Sequence, residues 1–383
     1  MVADGNLASS SNLREFTDQI MKQNRFLTCP RCHSGAFNES IEGLTCEGCA
    51  RFVPMLLGIP DFRDDVSDIT AAFSIADDRL IAEQLSVAFG KAATFNELQD
   101  VYRILIDKHK RGEHLAHSDI RNLCVQGAIA PRPLSEDQLA HGKAILEKIP
   151  HYIGAAAFGE PGNGIALENG CGLGLFIDGF ATHFKELVVL DFSLCYLLLA
   201  KKLIEERSLT NVTLVCGSVE RLPLKAGTFD FVHSNNVIEH ISDQRALFIE
   251  AKRVLKSNGL FFVLSPNRFS SYFEPHFRLP FFGFIPEPIR RKIIQMRQNR
   301  SIDEISLLSL SELRVLAEGQ FGKNISISFV PRHLAKTATG GFIRNVLVKG
   351  LNSRILGPAT NLLINDLLLG LMPYHVALCH KEH

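Results

Sequence analysis

Tryptophan is missing from this 383-residue chain, and phenylalanine carries most of the aromatic content, with 27 Phe against 5 Tyr. Net charge is missing as well: Lys plus Arg and Asp plus Glu each number 41. That balance gives no global pull toward nucleic acid, so an RNA partner would have to be met by a local basic patch. No run of about 18 uncharged apolar residues occurs, so no transmembrane helix is expected. The opening residues, MVADGNLASSSNLREF, lack the basic-then-apolar order of a secretory signal. What is present is a chain long enough for two or three domains with a substantial buried core. Its nine cysteines suit thiols and a metal better than a disulfide framework, and with them a reducing cytoplasm.

Four of those cysteines form a pattern. Cys29 and Cys32 make one C-x-x-C, Cys46 and Cys49 another, with 13 residues between the two. Two such knuckles on a hairpin set four thiolates tetrahedrally around Zn²⁺, and the closed shell leaves no position for substrate, so the site reads as structural. The tail Phe52-Val53-Pro54 followed by Gly58-Ile59-Pro60-Asp61 adds detail. Together these motifs resemble the Trm112-like zinc ribbon, and a ribbon domain is expected over 24–63. The resemblance implies association with a methyltransferase.

The centre of the chain is Ile165–Asp191, IALENGCGLGLFIDGFATHFKELVVLD. It reads as strand, glycine turn, helix, strand and acid. The glycines allow close approach of backbone to a ligand, the helix start offers N–H donors, and an acid ~20 residues on suits ribose hydroxyls. The dinucleotide fingerprint needs glycine at the sixth position of its turn. Counting from Gly170 or Gly172, that position holds Leu175 or Ile177. The pattern E-x-G-C-G-x-G with Asp191 downstream instead resembles the first two motifs of class I S-adenosylmethionine (SAM)-dependent methyltransferases of the type 11 kind. The fold this implies is α/β: a Rossmann-like seven-stranded methyltransferase sheet, here with a small N-terminal zinc ribbon and a helical intermediate region.

Later segments extend the likeness over about 164–264. Asn211–Cys216 reads as a third strand, and Gly217-Ser218-Val219-Glu220 resembles the third motif, with Ser218 where the family usually has Asp. Phe229–Ser234 and Asn235–Ile241 resemble the fourth motif and its loop. The turn Lys256-Ser257-Asn258-Gly259 is expected to reverse tightly at Gly259 before a fifth strand, Leu260–Leu264. Asn169 departs from the apolar residue usual in the first motif. By this resemblance the cofactor contacts are Glu168, Gly170, Cys171, Gly172, Gly174, Asp191, Phe192, Ser218, Val219, Asn235 and Asn236. Zinc would be held by Cys29, Cys32, Cys46 and Cys49.

Residues 64–150 carry helical patterns and are expected to form a linker or cover. His109, His114 and His117 within it read as a solvated helix end. The methyltransferase domain is expected over 151–383, with an acceptor insert at 266–305. In that insert Glu274 and His276 stand in a Phe-rich setting where a base with a tuned pKa can take a hydroxyl proton; pinning of the loop is the other reading. Glu239 and His240 are the remaining catalytic candidates, with a helix-start structural role open for His240. Phe269, Phe273, Phe277, Phe281, Phe282 and Phe284 beside Arg290, Arg291 and Lys292 suit a lid underside or contact with a membrane surface.

The expected function is therefore methyl transfer from SAM to a small-molecule or lipid/glycan-linked acceptor, at oxygen. Two rival expectations stand: an RNA or translation-factor methyltransferase that uses the ribbon for recognition, and a non-catalytic scaffold. Cytoplasmic residence is expected, with peripheral contact at the inner membrane surface as an option.

Overall fold

The computed structural model describes residues 24–40, 43–63, 162–270, 274, 276–277, 279–298, 305–329 and 374–382, with isolated positions between 91 and 140. The three histidines of 109–117, most of the helical patterns over 64–150 and the apolar connection over 341–371 lie outside the described residues. The described residues fall into two compact units, divided after Phe229.

The first unit begins with four short strands, β1 (Phe37–Ser40), β2 (Gly43–Cys46), β3 (Phe52–Leu56) and β4 (Ile59–Pro60), paired antiparallel in that order. Such a small sheet cannot bury enough apolar surface to stand alone. Its interior is Leu27, Cys29, Leu44, Cys46, Val53, Ile59 and Phe62, all buried. The same unit contains β5 (Ile165–Asn169), α1 (Ile177–His183), β6 (Glu186–Asp191), α2 (Leu194–Glu206) and β7 (Val212–Cys216). Strands β5, β6 and β7 run parallel. Helix α2 starts where Ser193 caps it by accepting from the Tyr196 N–H. Its Leu194, Leu197, Leu198, Leu199, Ala200 and Leu203 are buried, as a helix enclosed on most sides requires.

Within this unit the ribbon is stitched to the parallel strands by backbone. Asp61 bridges Cys216 in parallel, and the Phe62 N–H donates to the Cys216 carbonyl at 2.8 Å. On the ribbon's entry side Leu27 bridges Leu224 antiparallel, the Thr28 N–H donates to the Pro223 carbonyl at 3.0 Å, and the Lys225 N–H to the Phe26 carbonyl at 2.8 Å. Arg221 Nε adds a bond to the Pro30 carbonyl at 3.0 Å. Strand β7 is the last of its sheet, and the Asp61 and Phe62 contacts cover the backbone of Cys216 at its end, which an open edge would leave bare.

The second unit holds β8 (Phe229–Asn235), a 3₁₀ turn (Ile238–His240), α3 (Gln244–Val254), β9 (Leu255–Pro266), α4 (Glu287–Gln298), α5 (Leu310–Phe321), β10 (Ile325–Phe329) and β11 (Tyr374–His380). Asp243 caps α3 by accepting from the Arg245 and Ala246 N–H groups, and Leu247, Phe248, Ala251 and Val254 form its buried stripe. Strand β11 pairs antiparallel with both β9 and β10. The larger sheet as a whole has seven strands in the order β10-β11-β9-β8-β5-β6-β7, the mixed Rossmann-like arrangement expected from the sequence.

One local expectation is corrected. The chain does not reverse at Gly259: β9 is already extended from Leu255, and the left-handed residue is Asn258, with φ 65°. Asn258 and Gly259 exchange backbone bonds with Lys381, so pairing with the chain after β11 carries the strand through this segment.

Candidate active site

The glycine bend leaves β5 as Gly170, Cys171, Gly172, Leu173 and Gly174. The three glycines have φ of 77°, 48° and 85°, the left-handed region that side chains resist. A Cβ placed on Gly172 would meet nothing within 4 Å, so this point of the bend faces open space. At the end of β6, Asp191 is 8% exposed. Its Oδ2 accepts from the Gly172 N–H at 3.0 Å and its Oδ1 from the Ser193 N–H at 2.8 Å. Burial raises the Asp191 pKa, and these backbone donors act against it. The bend and the acid that the sequence singled out separately are thus one hydrogen-bonded assembly.

The remaining cofactor candidates take separate local positions. Glu168 and Asn169 are buried at the end of β5, and neither the oxygen nor the nitrogen of the Asn169 amide has a hydrogen-bond partner. The Cys171 thiol is buried; burial first, then the Asp191 and Glu168 carboxylates, push its pKa well up and keep it protonated. Phe192 is exposed at its ring, while Val219 is buried. The Ser218 hydroxyl accepts from the Glu220 N–H at 3.1 Å, closing a local turn. Asn235 and Asn236 belong to the second unit. There Asn236 adopts φ 55° and its N–H donates to the Leu264 carbonyl at 3.0 Å.

Sequence reasoning missed Arg63. It grips Asp61 through Nε at 2.9 Å and donates to the Phe192 carbonyl at 3.4 Å, with its guanidinium 5.6 Å from the Phe192 ring centre. The exit of the ribbon thereby touches the residue next to Asp191. No motif announces this, since the two are 129 residues apart.

The four ribbon cysteines converge. Cys29 Sγ lies 3.6 Å from Cys49 Sγ and Cys32 Sγ 3.4 Å from Cys46 Sγ, and all four sulfurs lie within 4.8 Å of one another. A tetrahedron with metal–sulfur bonds of about 2.3 Å has sulfurs about 3.8 Å apart, so the set fits zinc. Both knuckles close alike: His33 and Ala50 are left-handed, and each donates its N–H to the carbonyl of Cys29 or Cys46 at 2.8 Å.

The second unit assembles the polar candidates. Glu239 sits in the 3₁₀ turn, 1% exposed, and neither carboxylate oxygen has a hydrogen-bond partner. Burial, opposed by its own backbone N–H and reinforced by the Glu274 charge, pushes its pKa up to about 8. The turn is held by Gln244, whose amide donates to the Ile238 carbonyl at 2.9 Å and the Ser306 carbonyl at 2.7 Å, and by the Ser306 N–H on the Glu239 carbonyl. His276 Nδ1 lies 2.5 Å from Glu274 Oε1, whose other oxygen accepts from the Phe277 N–H at 2.6 Å. His276 Nε2 is 3.8 Å from Glu239 Oε1, and His240 Nε2 is 4.0 Å from the same oxygen. Tyr374, at the start of β11, feels the group too: burial, then the Glu239 and Glu274 charges, push its pKa up to about 12. Glu239, His240 and His276, candidates named from the sequence, therefore meet in one place.

The Phe-rich segment divides its labour. Phe277 and Phe282 stack at 5.5 Å in a buried cluster with Leu279, Ile294, Ile305 and Leu307, whereas Phe281 and Phe284 remain exposed. Among the described residues no helix is long and apolar enough to cross a membrane.

Residues 167–263 match the family model of a methyltransferase domain. A malonyl-[acyl-carrier protein] O-methyltransferase of Methylovorus sp. is 34% identical over 110 residues, covering 26% of this chain and 37% of that protein. An uncharacterized methyltransferase of Arabidopsis thaliana is 29% identical over 154 residues, covering 39% and 41%. The chain thus spans about two-fifths of the length of the curated relatives it matches. Among solved structures, a phosphoethanolamine N-methyltransferase 2 of Haemonchus contortus aligns with a TM-score of 0.43 at 15% identity, over 63% of this chain and 52% of that one.

Proposed function

We propose that the chain is a SAM-dependent methyltransferase that carries a structural Zn²⁺ in a Trm112-like ribbon and methylates a hydroxyl oxygen of a small-molecule or lipid/glycan-linked acceptor. The observation that carries the reading is the bond between the Gly172 N–H and Asp191, made at an open, left-handed glycine bend inside the methyltransferase domain. In this reading Asp191 meets the ribose hydroxyls, and the bare backbone at Gly172 leaves room for the nucleoside. Glu168, Cys171, Phe192, Ser218, Val219, Asn235 and Asn236 are the further contacts in this reading. The cofactor supplies an activated methyl group on sulfur, so the protein's work is to orient reactants and manage the acceptor's proton.

The polar centre of the second unit suits that second task. His276, its Nδ1 directed to Glu274, presents Nε2 to an acceptor hydroxyl, and Glu239 and His240 border the same point. In the cation-free protein His276 takes the proton. The four ribbon thiolates would hold zinc in a closed shell whose role is to fix the knuckles that meet the parallel strands.

Isothermal calorimetry with SAM on the full chain tests the cofactor reading: one site per chain is expected, and no heat of binding would overturn it. Mass spectrometry of cell extracts incubated with the protein and methyl-labelled SAM then identifies the acceptor by gain of one labelled methyl.

A further inference from the structure

We propose that Glu239, His240 and His276 form a divalent cation site, separate from the ribbon's four cysteines. One ligand atom from each of the three residues lies within 4.8 Å of the others. The two imidazole Nε2 atoms approach the same carboxylate oxygen, at 3.8 and 4.0 Å, with the rings 5.2 Å apart and nearly perpendicular. Donors bound at about 2.0–2.2 Å to one metal stand roughly 3–3.5 Å apart. The observed set closes to that geometry with shifts of under an ångström, within reach of side-chain motion.

A second observation points to a ligand. Glu239 is 1% exposed, and both its oxygens lack a hydrogen bond. A buried carboxylate in that state is costly, and a bound cation is what buried carboxylates take when no hydrogen bonds serve them. The surroundings are also those of a metal site. Metal-ligating histidines pass their other ring N–H to a carboxylate, which fixes the tautomer, and His276 Nδ1 is directed to Glu274 at 2.5 Å. Glu274 is itself fully buried at its side chain and fixed by the Phe277 N–H, so it orients rather than ligates. The Gln244 and Ser306 bonds to the 3₁₀ turn hold the two adjacent ligands Glu239 and His240 in place.

Two imidazoles and one carboxylate favour a first-row divalent cation such as Zn²⁺ or Mn²⁺ over Ca²⁺, and three protein ligands leave positions for oxygen atoms of an acceptor. This deepens the oxygen-methylation reading and rests on it for that last step alone. A hydroxyl bound to the cation loses its proton more readily and passes it to solvent, while His276 Nε2 serves as a ligand.

The test uses the full chain with its ribbon loaded with zinc, titrated with MnCl₂ and followed by electron paramagnetic resonance. One Mn²⁺ per chain is expected, with nitrogen couplings from imidazole in the pulsed spectrum. Glu239→Gln and His276→Gln should each weaken Mn²⁺ binding by at least about 10- to 100-fold. Absence of Mn²⁺ binding by the unmodified protein, or of nitrogen couplings, would overturn the proposal without recourse to any variant. So would full affinity in folded Glu239→Gln. SAM calorimetry on the same preparation separates the two readings: cofactor binding without Mn²⁺ sinks the cation site alone, and Mn²⁺ without cofactor sinks the methyltransferase reading alone.

Discussion

The Gly172 N–H donates to Asp191 Oδ2 at 3.0 Å, joining the end of one parallel strand to the bend that leaves its neighbour. The second oxygen of the same carboxylate is taken by the Ser193 N–H. Asp191 is therefore oriented before any ligand arrives, which cuts the ordering cost of binding. Asp191→Ala should lower SAM affinity at least about tenfold, equivalent to about 1.4 kcal/mol, in calorimetry. Undiminished affinity would refute the ribose role.

Gly172 makes a second, independent test of the same bend. A methyl group there meets no neighbouring atom, so any loss of stability comes from a side chain forced to φ 48°. Gly172→Ala should cost about 1–2 kcal/mol in thermal or urea unfolding. Its larger effect should fall on SAM binding, because the added methyl projects into the open space before the bend.

The ribbon thiols predict metal content. Cys32→Ser or Cys49→Ser should abolish zinc retained through gel filtration, measured by mass spectrometry of the metal. Removal of the metal should also lower the melting temperature of the parallel-strand unit, since Phe26 and Thr28 beside the first knuckle are bonded to Lys225 and Pro223, and Pro30 within it accepts from Arg221. Loss of zinc with no thermal shift would show the stitching to be independent of the metal.

Arg63 links ribbon and bend through Asp61 and Phe192. Arg63→Ala should reduce SAM affinity a few-fold with zinc content intact, because Phe192 directly follows Asp191 and would lose its brace. An affinity equal to that of the unmodified protein would reduce this contact to packing.

Helix α5 offers a stability test away from the site. Ser309 and Glu312 form a capping box, and Arg268 pairs with the same carboxylate. Ser309→Ala should cost about 1 kcal/mol in urea unfolding. Against a burial that by itself raises it, hydrogen bonds from Arg268 and Ser309 bring the Glu312 pKa down to about 2. A carboxyl lowered on folding contributes stability that is complete above its unfolded value near 4.5 and is lost as pH falls toward about 2. Glu312→Gln should accordingly flatten the stability profile across that window.

Much of this was legible in the sequence because it is local. The strand–bend–helix–strand order of 165–191 and the C-x-x-C pairs depend on spacing within a few tens of residues, where periodicity and turn chemistry speak directly. Glu274 and His276 were visible as polar residues in an apolar setting. Their meeting with Glu239 and His240 was not, since it depends on how the 274–277 loop returns to a turn more than 30 residues earlier. The Arg63–Phe192 contact was invisible for the same reason. At Asn258 the family-like turn misled, because pairing with Lys381 at the far end of the chain overrides the local glycine.

The parallel bridge between Asp61 and Cys216 has a practical consequence. A protein trimmed to start at residue 151 would lose the ribbon's cover from the Cys216 end of β7, the last strand of its sheet. Exposed edges recruit other strands, so in gel filtration the shortened chain should self-associate more than the full chain. The ribbon is in that respect a hem sewn onto one corner of the sheet.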